Sequence, residues 1–129
     1  MNGNYLLDTS VIIRVINNDN IVVDKIRSAS NIFIPVIAIG ELYFGANNST
    51  QKEKNLEKIN MLSLSLPILI VDTQTAKLYG NIKGYLKRIG KPIPENDLWI
   101  ASISMQHNLT LACRDNHFSF INELKYEMW

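Results

Sequence analysis

Near its start the chain has the sequence YLLDTSVIIRVI at residues 5–16, in which an apolar run ends on a carboxylate and two hydroxyls. Residues 5–7 have the composition of a short buried β-strand. Val11 to Ile16 follow with apolar side chains at helical spacing, and Thr9 or Ser10 is expected to cap this helix. The stretch therefore predicts a strand that passes directly into a helix.

The same succession of strand and helix continues along the chain. Apolar periodicity predicts the further elements, and Gly90 and Pro92 mark a helix end. Strands are expected at Asn31–Ile34, Leu66–Val71 and Leu109–Cys113, with an edge strand at Leu124–Met128, and helices at Val22–Ile26, Val36–Ala46, Thr50–Leu62, Thr73–Arg88 and Glu95–His107. Strands that alternate with helices predict an α/β fold with a mainly parallel central sheet flanked by helices.

Composition points to one ordinary globular domain over residues 1–129. The sequence is 47% hydrophobic and 19% charged, and it has no internal repeat or Gly/Ser linker. Because the net charge is only +1, nucleic-acid binding would depend on a local basic patch or a bound metal. The single cysteine, Cys113, excludes an internal disulfide, and the apolar runs are too short to cross a membrane. We therefore expect a cytoplasmic protein with no membrane partner.

Acidic side chains occupy positions that the predicted fold brings to one edge of the sheet. Asp8 and Asp115 each follow a predicted strand, and Asp97 lies in the first turn of a predicted helix. In open α/β sheets, groups at the carboxyl ends of the strands converge on one crevice. Carboxylates gathered in this way bind Mg²⁺ or Mn²⁺, because these ions prefer hard oxygen ligands.

Glu41 is a fourth acid, placed inside a mainly apolar helical segment. It is the only charged residue between Arg27 and Lys52. A carboxylate in an apolar helix either faces water or is paired with a cation, and a metal shared with the other acids would supply that cation. The alternative is structural, because an acid after a strand often caps a helix and an acid in a helix's first turn interacts favourably with its dipole.

Four segments carry these acids: LLDTS at residues 6–10, GELYFGA at 40–46, IPENDLWIA at 93–101 and RDNHF at 114–118. Together they resemble the PIN-domain nucleases, and in detail the VapC-type toxins of bacterial toxin-antitoxin pairs. Each motif is weak alone, whereas four in this order span nearly the whole chain. The resemblance implies a single PIN domain, a homodimer and metal-dependent endonucleolytic cleavage of RNA, frequently tRNA.

The resemblance also assigns roles to particular residues. The acidic quartet that matches the family's catalytic and metal-binding residues is Asp8, Glu41, Asp97 and Asp115. Ser10 matches a hydroxyl that supports Asp8, and Asn96 fits a supporting role beside Asp97. Cys113 departs from the family pattern, since many relatives have Thr or Ser there, and a thiol is a poorer hydrogen-bond partner. The implied cofactor is Mg²⁺ or Mn²⁺.

Basic residues just before the Asp97 motif form a candidate RNA-binding strip. They are Lys83, Lys87, Arg88 and Lys91, with Arg114 as a further candidate beside Asp115. Such cations can hold phosphates next to the acids, and the alternative is a solvated helix face. The two histidines, His107 and His117, have no cysteine or histidine at metal-ligand spacing, so surface or packing roles are expected for both.

The sequence thus favours an endoribonuclease that acts as the toxin of a toxin-antitoxin pair. Its implied partners are an RNA substrate and a cognate antitoxin, with DNA contacted only through the antitoxin. The alternative is a weakly active or silent PIN domain that acts mainly as a binding module in an antitoxin-DNA complex.

Overall fold

Five parallel strands form a central sheet in the computed structural model of the chain, which describes residues 3–129. The strands are β1 (Asn4–Leu7), β2 (Asn31–Pro35), β3 (Ile68–Leu69), β4 (Thr110–Cys113) and β5 (Tyr126–Met128). The helices are α1 (Thr9–Ile16), α2 (Asn20–Ser28), α3 (Val36–Asn47), α4 (Lys52–Ser65), α5 (Thr73–Arg88) and α6 (Glu95–Gln106). A short 3₁₀ helix covers His117–Phe120. The predicted α/β fold with a parallel sheet is confirmed.

Hydrophobic side chains pack on both faces of the sheet, because successive residues of a strand point to opposite sides. Tyr5 and Leu7 join a core cluster with residues of α1 to α4. Leu6, between them in the sequence, belongs to a second cluster with residues of α5 and α6. The sheet is therefore buried between two helical layers. Within residues 3–129, no helix has the length and apolar character needed to cross a membrane.

Two predicted details of the fold are wrong. The strand expected at Leu66–Val71 is only Ile68–Leu69, because Pro67 has no N–H to donate to a ladder and β3 is an edge strand that pairs with β2 alone. The cap of α1 is Asp8 rather than Thr9 or Ser10, since the helix already begins at Thr9. The Asp8 carboxylate accepts a hydrogen bond from the Val11 N–H, so this acid both follows a strand and starts a helix.

The strand order is β3-β2-β1-β4-β5. The connection from β1 leads to β2 on one side of the sheet, and the connection from β4 leads to β5 on the other side. Between the neighbouring strands β1 and β4 the helices that follow the strands leave a crevice at the carboxyl edge of the sheet. Leu7 pairs with Ala112 across this junction, and the Asp8 N–H donates to the Ala112 carbonyl. The topology therefore brings the residues after β1 and after β4 to the same place.

Candidate active site

Asp8 lies at the bottom of the crevice, with only 3% of its surface exposed. Its burial raises the pKa of the carboxyl to about 6 from an ordinary value of 3.8. Hydrogen bonds from the Val11 N–H (3.0 Å) and the Ser10 hydroxyl (2.8 Å), both to Oδ1, lower this pKa, and the charges of Asp115 and Asp97 raise it further. Asp8 is therefore a desolvated acid held in a fixed orientation among other acids.

Glu41 approaches the crevice from α3 and is held by a hydroxyl of α1. The Thr9 hydroxyl donates to Glu41 Oε1 at 2.6 Å. The apolar surroundings inferred from the sequence are only half present: Ala38 and Leu42 are buried, but Phe44 is 73% exposed and Glu41 itself is half-buried. Glu41 is thus less strongly desolvated than its sequence neighbours indicate, and a hydroxyl supplies part of its hydrogen bonding.

Asp97 and Asp115 meet on the exposed side of the crevice, with an imidazole between them. His117 Nδ1 lies 2.7 Å from Asp97 Oδ2 and 3.2 Å from Asp115 Oδ1. Burial raises the pKa of Asp97, the hydrogen bond to His117 opposes this, and the charges of Asp115 and Glu41 add to the rise. The same contact with Asp97 raises the pKa of His117. The ring is thus part of the site, whereas the sequence pattern predicted a surface or packing role for it.

The arrangement suits a divalent cation. One carboxylate oxygen from each of Asp97 and Asp115 and one ring nitrogen of His117 all lie within 4.8 Å of one another. Asp8 and Glu41 lie outside this closest group, yet the charges of Asp97 and Asp115 raise the pKa of Asp8, and the charge of Glu41 raises that of Asp97. Acids that are desolvated and repel one another are stabilised in their charged form by a cation.

Ser10 and Asn96, which were predicted to support the acids, differ in their contacts. Ser10 donates to Asp8, in line with a supporting hydroxyl. Asn96 is exposed in the first turn of α6 and lines a surface cavity together with Glu41 and Phe44. Its side chain is therefore available at the mouth of the crevice beside Asp97.

Cys113 lies at the end of β4 and is fully buried. Its thiol points towards the Glu127 carbonyl of β5, with 3.7 Å between Sγ and the oxygen. Burial, followed by the charges of Asp8, Asp115 and Asp97, raises the pKa of the thiol to about 12. A thiolate nucleophile at this position is disfavoured, as its place in an apolar strand also indicates.

The five candidate RNA-binding cations are all exposed, and three of them contact other side chains or the backbone of the protein. Lys83 forms an ion pair with Glu95 at 3.2 Å, and Lys91 lies 5.2 Å from the centre of the Phe120 ring. Arg114 donates to the carbonyl oxygen of Trp129. Lys87 and Arg88 are exposed in the last turn of α5. Because Lys83, Lys91 and Arg114 already have partners within the protein, Lys87 and Arg88 are the better placed part of the strip for an external phosphate.

Tyr79 and Trp99 stack on each other beside Lys83, with ring centroids 3.9 Å apart and planes at 9°. The Tyr79 hydroxyl also donates to the Glu95 carboxylate. Both rings are half-buried between α5 and α6. Their stacking fixes the start of α6, which carries Asp97, against α5.

Comparison with known proteins identifies the fold. The family model described as PIN domain matches residues 5–124. The chain belongs to the PIN-domain family. A ribonuclease named VapC2 from Haemophilus influenzae is 32% identical to this PIN domain over 128 residues, covering 97% of each chain. The tRNA(fMet)-specific endonuclease VapC of Salmonella typhimurium is 30% identical over 131 residues, again covering 97% of each.

A solved structure extends the similarity to an assembly. VapBC2 from Rickettsia felis, crystallised with a DNA fragment from its promoter, contains a chain that matches this PIN domain with a TM-score of 0.89 and 28% identity. The match covers 100% of this chain and 99% of the other. The resemblance to VapC-type proteins inferred from the four motifs is confirmed.

Proposed function

We propose that this PIN domain is a Mg²⁺- or Mn²⁺-dependent endoribonuclease and the toxin of a toxin-antitoxin pair. The observation that carries the proposal is the convergence of the acidic quartet on the crevice between β1 and β4, where Asp8 is buried and has a pKa raised to about 6. Maintaining such desolvated, mutually repelling acids costs stability, which is typical of a functional site. The names of the relatives, ribonuclease and tRNA-specific endonuclease, support RNA as substrate.

In this proposal the quartet, Asp8, Glu41, Asp97 and Asp115, holds the divalent cation. When bound, the cation neutralises charge on the phosphodiester and lowers the pKa of water. Ser10 and the Val11 N–H keep Oδ1 of Asp8 in place, and Thr9 does the same for Oε1 of Glu41. Hydroxyl and backbone donors leave the other carboxylate oxygens to face the crevice.

The hydrolysis is proposed to be a direct displacement by water. Cys113, the single cysteine, is buried with a raised pKa and does not face a substrate as a thiolate. Direct displacement in which the 3′-oxygen is the leaving group gives a 5′-phosphate and a 3′-hydroxyl, the ends that the family resemblance implies. Asn96 and the exposed Lys87 and Arg88 are proposed to contact the RNA outside the quartet.

The proposed partners follow from the relatives. The VapBC2 structure from Rickettsia felis is bound to a DNA fragment from the promoter and contains a chain that matches this PIN domain. By analogy, we propose that a cognate antitoxin inhibits this PIN domain and that DNA is contacted only through the antitoxin. A homodimer and a cytoplasmic location, where tRNA is found, complete the proposal.

Inducing the protein in cells tests the toxin assignment. We expect growth arrest when the chain is induced alone, and relief when the protein encoded by its genomic neighbour is co-induced. The Asp97→Asn variant, which removes one acid of the quartet, is expected to leave growth unaffected at equal protein level. Arrest by the variant as strong as by the natural chain would contradict the proposal, and no arrest by the natural chain would favour the silent binding module.

Neutralising Lys87 and Arg88 tests the exposed part of the strip. In the Asp97→Asn background, which keeps the RNA intact, the double alanine variant is expected to weaken RNA binding. The slope of log K against log salt should become shallower by about 0.7 for each phosphate that the variant no longer neutralises. Lys52 and Lys54, exposed cations at the start of α4, provide the matched control pair. A slope that changes equally in both double variants would remove the strip from the proposal.

A further inference from the structure

His117 is held between two acids although its side chain is 47% exposed. Its Nδ1 lies 2.7 Å from Asp97 Oδ2, and its backbone N–H donates to Asp115 Oδ1 at 3.2 Å. The next residue, Phe118, is fully buried in the core cluster of α5 and α6. The backbone of His117 is therefore held by Asp115 and by the anchored 3₁₀ helix, and the ring is held by the contact of Nδ1 with Asp97.

The ring nitrogen Nδ1 of His117 lies close to the carboxylate oxygens of both Asp97 and Asp115. The ring nitrogen and one oxygen from each of Asp97 and Asp115 lie within 4.8 Å of one another, which is close enough for one ion to contact all three. Imidazole nitrogen is a common metal ligand in proteins, and it is a softer donor than a carboxylate. The same nitrogen pairs with Asp97, so the geometry admits two roles for the ring, a metal ligand or a group that positions Asp97.

We propose that His117 is a nitrogen ligand of the bound cation, together with Asp97 and Asp115, and that it shifts the metal preference of the site towards Mn²⁺. This inference rests on the proposed metal site and adds a specificity-determining residue to the acidic quartet. Mg²⁺ requires oxygen ligands and keeps its waters, whereas transition-metal ions accept imidazole readily. Removing the nitrogen should therefore weaken Mn²⁺ binding and leave Mg²⁺ binding nearly unchanged.

Binding measurements test the preference. In titrations with Mn²⁺ alone and Mg²⁺ alone, the His117→Gln variant is expected to lose roughly tenfold in Mn²⁺ affinity. Its Mg²⁺ affinity is expected to stay within about twofold, because the variant keeps the carboxylate oxygens that Mg²⁺ prefers as ligands. His107→Gln, at the end of α6, is the matched control and should change neither affinity. Equal losses for both ions in His117→Gln would mean that the ring only positions Asp97, and would overturn the ligand assignment.

Pulsed electron paramagnetic resonance of the Mn²⁺-loaded protein detects the bond itself. We expect ¹⁴N modulation from a coordinated imidazole in the natural chain and in His107→Gln, and its loss in His117→Gln. ¹⁵N-histidine labelling of the natural chain identifies the coupled nitrogen as a histidine nitrogen, and the two variants then show which of the two histidines supplies it. The absence of nitrogen modulation in Mn²⁺-loaded natural protein, or its persistence in His117→Gln, would overturn the proposal.

The two proposals fail separately. Protein that cleaves RNA with Mg²⁺ but has no nitrogen modulation with Mn²⁺ would retain the nuclease function and lose the His117 ligand. Protein that has the modulation but cleaves no RNA would retain the ligand and lose the function.

Discussion

Replacing Asp8 by asparagine is expected to abolish RNA cleavage and to stabilise the metal-free fold at neutral pH. Asparagine keeps an oxygen at Oδ1, so the hydrogen bonds from Ser10 and the Val11 N–H that cap α1 persist. The charge that holds the cation is lost, and such electrostatic losses cost about a thousandfold in rate. The measurements are RNA cleavage with Mg²⁺ and thermal unfolding without metal.

The stability gain follows from the raised pKa of Asp8. Its carboxyl has a pKa of about 6 in the folded protein and 3.8 ordinarily, so between these pH values the folded state binds more protons than the unfolded state. Stability therefore falls as pH rises through this window, and the cost is fully present above pH 6. The difference corresponds to an upper limit of about 3 kcal/mol. The gain in Asp8→Asn should accordingly be small at pH 4 and largest above pH 6.

Asp72→Asn is the matched control, because Asp72 caps α5 as Asp8 caps α1. Its carboxylate accepts a hydrogen bond from the Thr75 N–H at 3.1 Å, and this bond lowers the pKa of Asp72. A lowered pKa stabilises the fold above the ordinary pKa, and this contribution is lost on acidification. Asp72→Asn should therefore lose stability at neutral pH and keep full cleavage. Stabilisation of both variants, or of neither, would contradict the assignment of Asp8 as a strained acid.

Phe118→Ala is expected to destabilise the protein by about 3–5 kcal/mol, a large share of the stability of a domain of this size. Phe118 is fully buried against the α5 and α6 layer and anchors the 3₁₀ helix that carries His117. Its loss leaves a cavity and loosens the loop of Asp115. Urea unfolding measures the stability, and cleavage well below the unfolding transition should also fall.

Phe120→Ala provides the comparison within the same 3₁₀ helix. Phe120 is 43% exposed, so its truncation removes little buried surface and should cost far less. If the two alanine variants unfold at the same urea concentration, Phe118 does not anchor the loop in the way its burial indicates.

The sequence was sufficient to predict the α/β fold and the place of Asp8 and Asp97 at one edge of the sheet, because both predictions depend on local patterns. An apolar run that ends on Asp8 and a helix that begins just before Asp97 mark where parallel strands and helix starts open on one edge. The cap of α1 was misassigned by one or two positions because Asp8, Thr9 and Ser10 are all good capping residues.

Contacts between distant residues were beyond local patterns. His117 meets Asp97 across 20 residues, and Thr9 meets Glu41 across 32, so both contacts depend on the strand order and on how α1, α3 and α6 pack. Lys83 was expected to face RNA, but its ion pair with Glu95 depends on the packing of α5 against α6. The one sequence feature that could have indicated a role for His117 in the site is its place in RDNHF, two residues after Asp115.

Cleavage of a defined RNA by the purified protein, measured over a Mg²⁺ series and in excess chelator, tests whether the acidic quartet forms a metal-dependent nuclease site. We expect cleavage that requires Mg²⁺ and leaves 5′-phosphate and 3′-hydroxyl ends, with Asp8→Asn protein, prepared identically, at the level of the buffer blank. Cleavage at an undiminished rate in chelator, or by Asp8→Asn as fast as by the natural chain, would contradict a metal-dependent nuclease built on the acidic quartet.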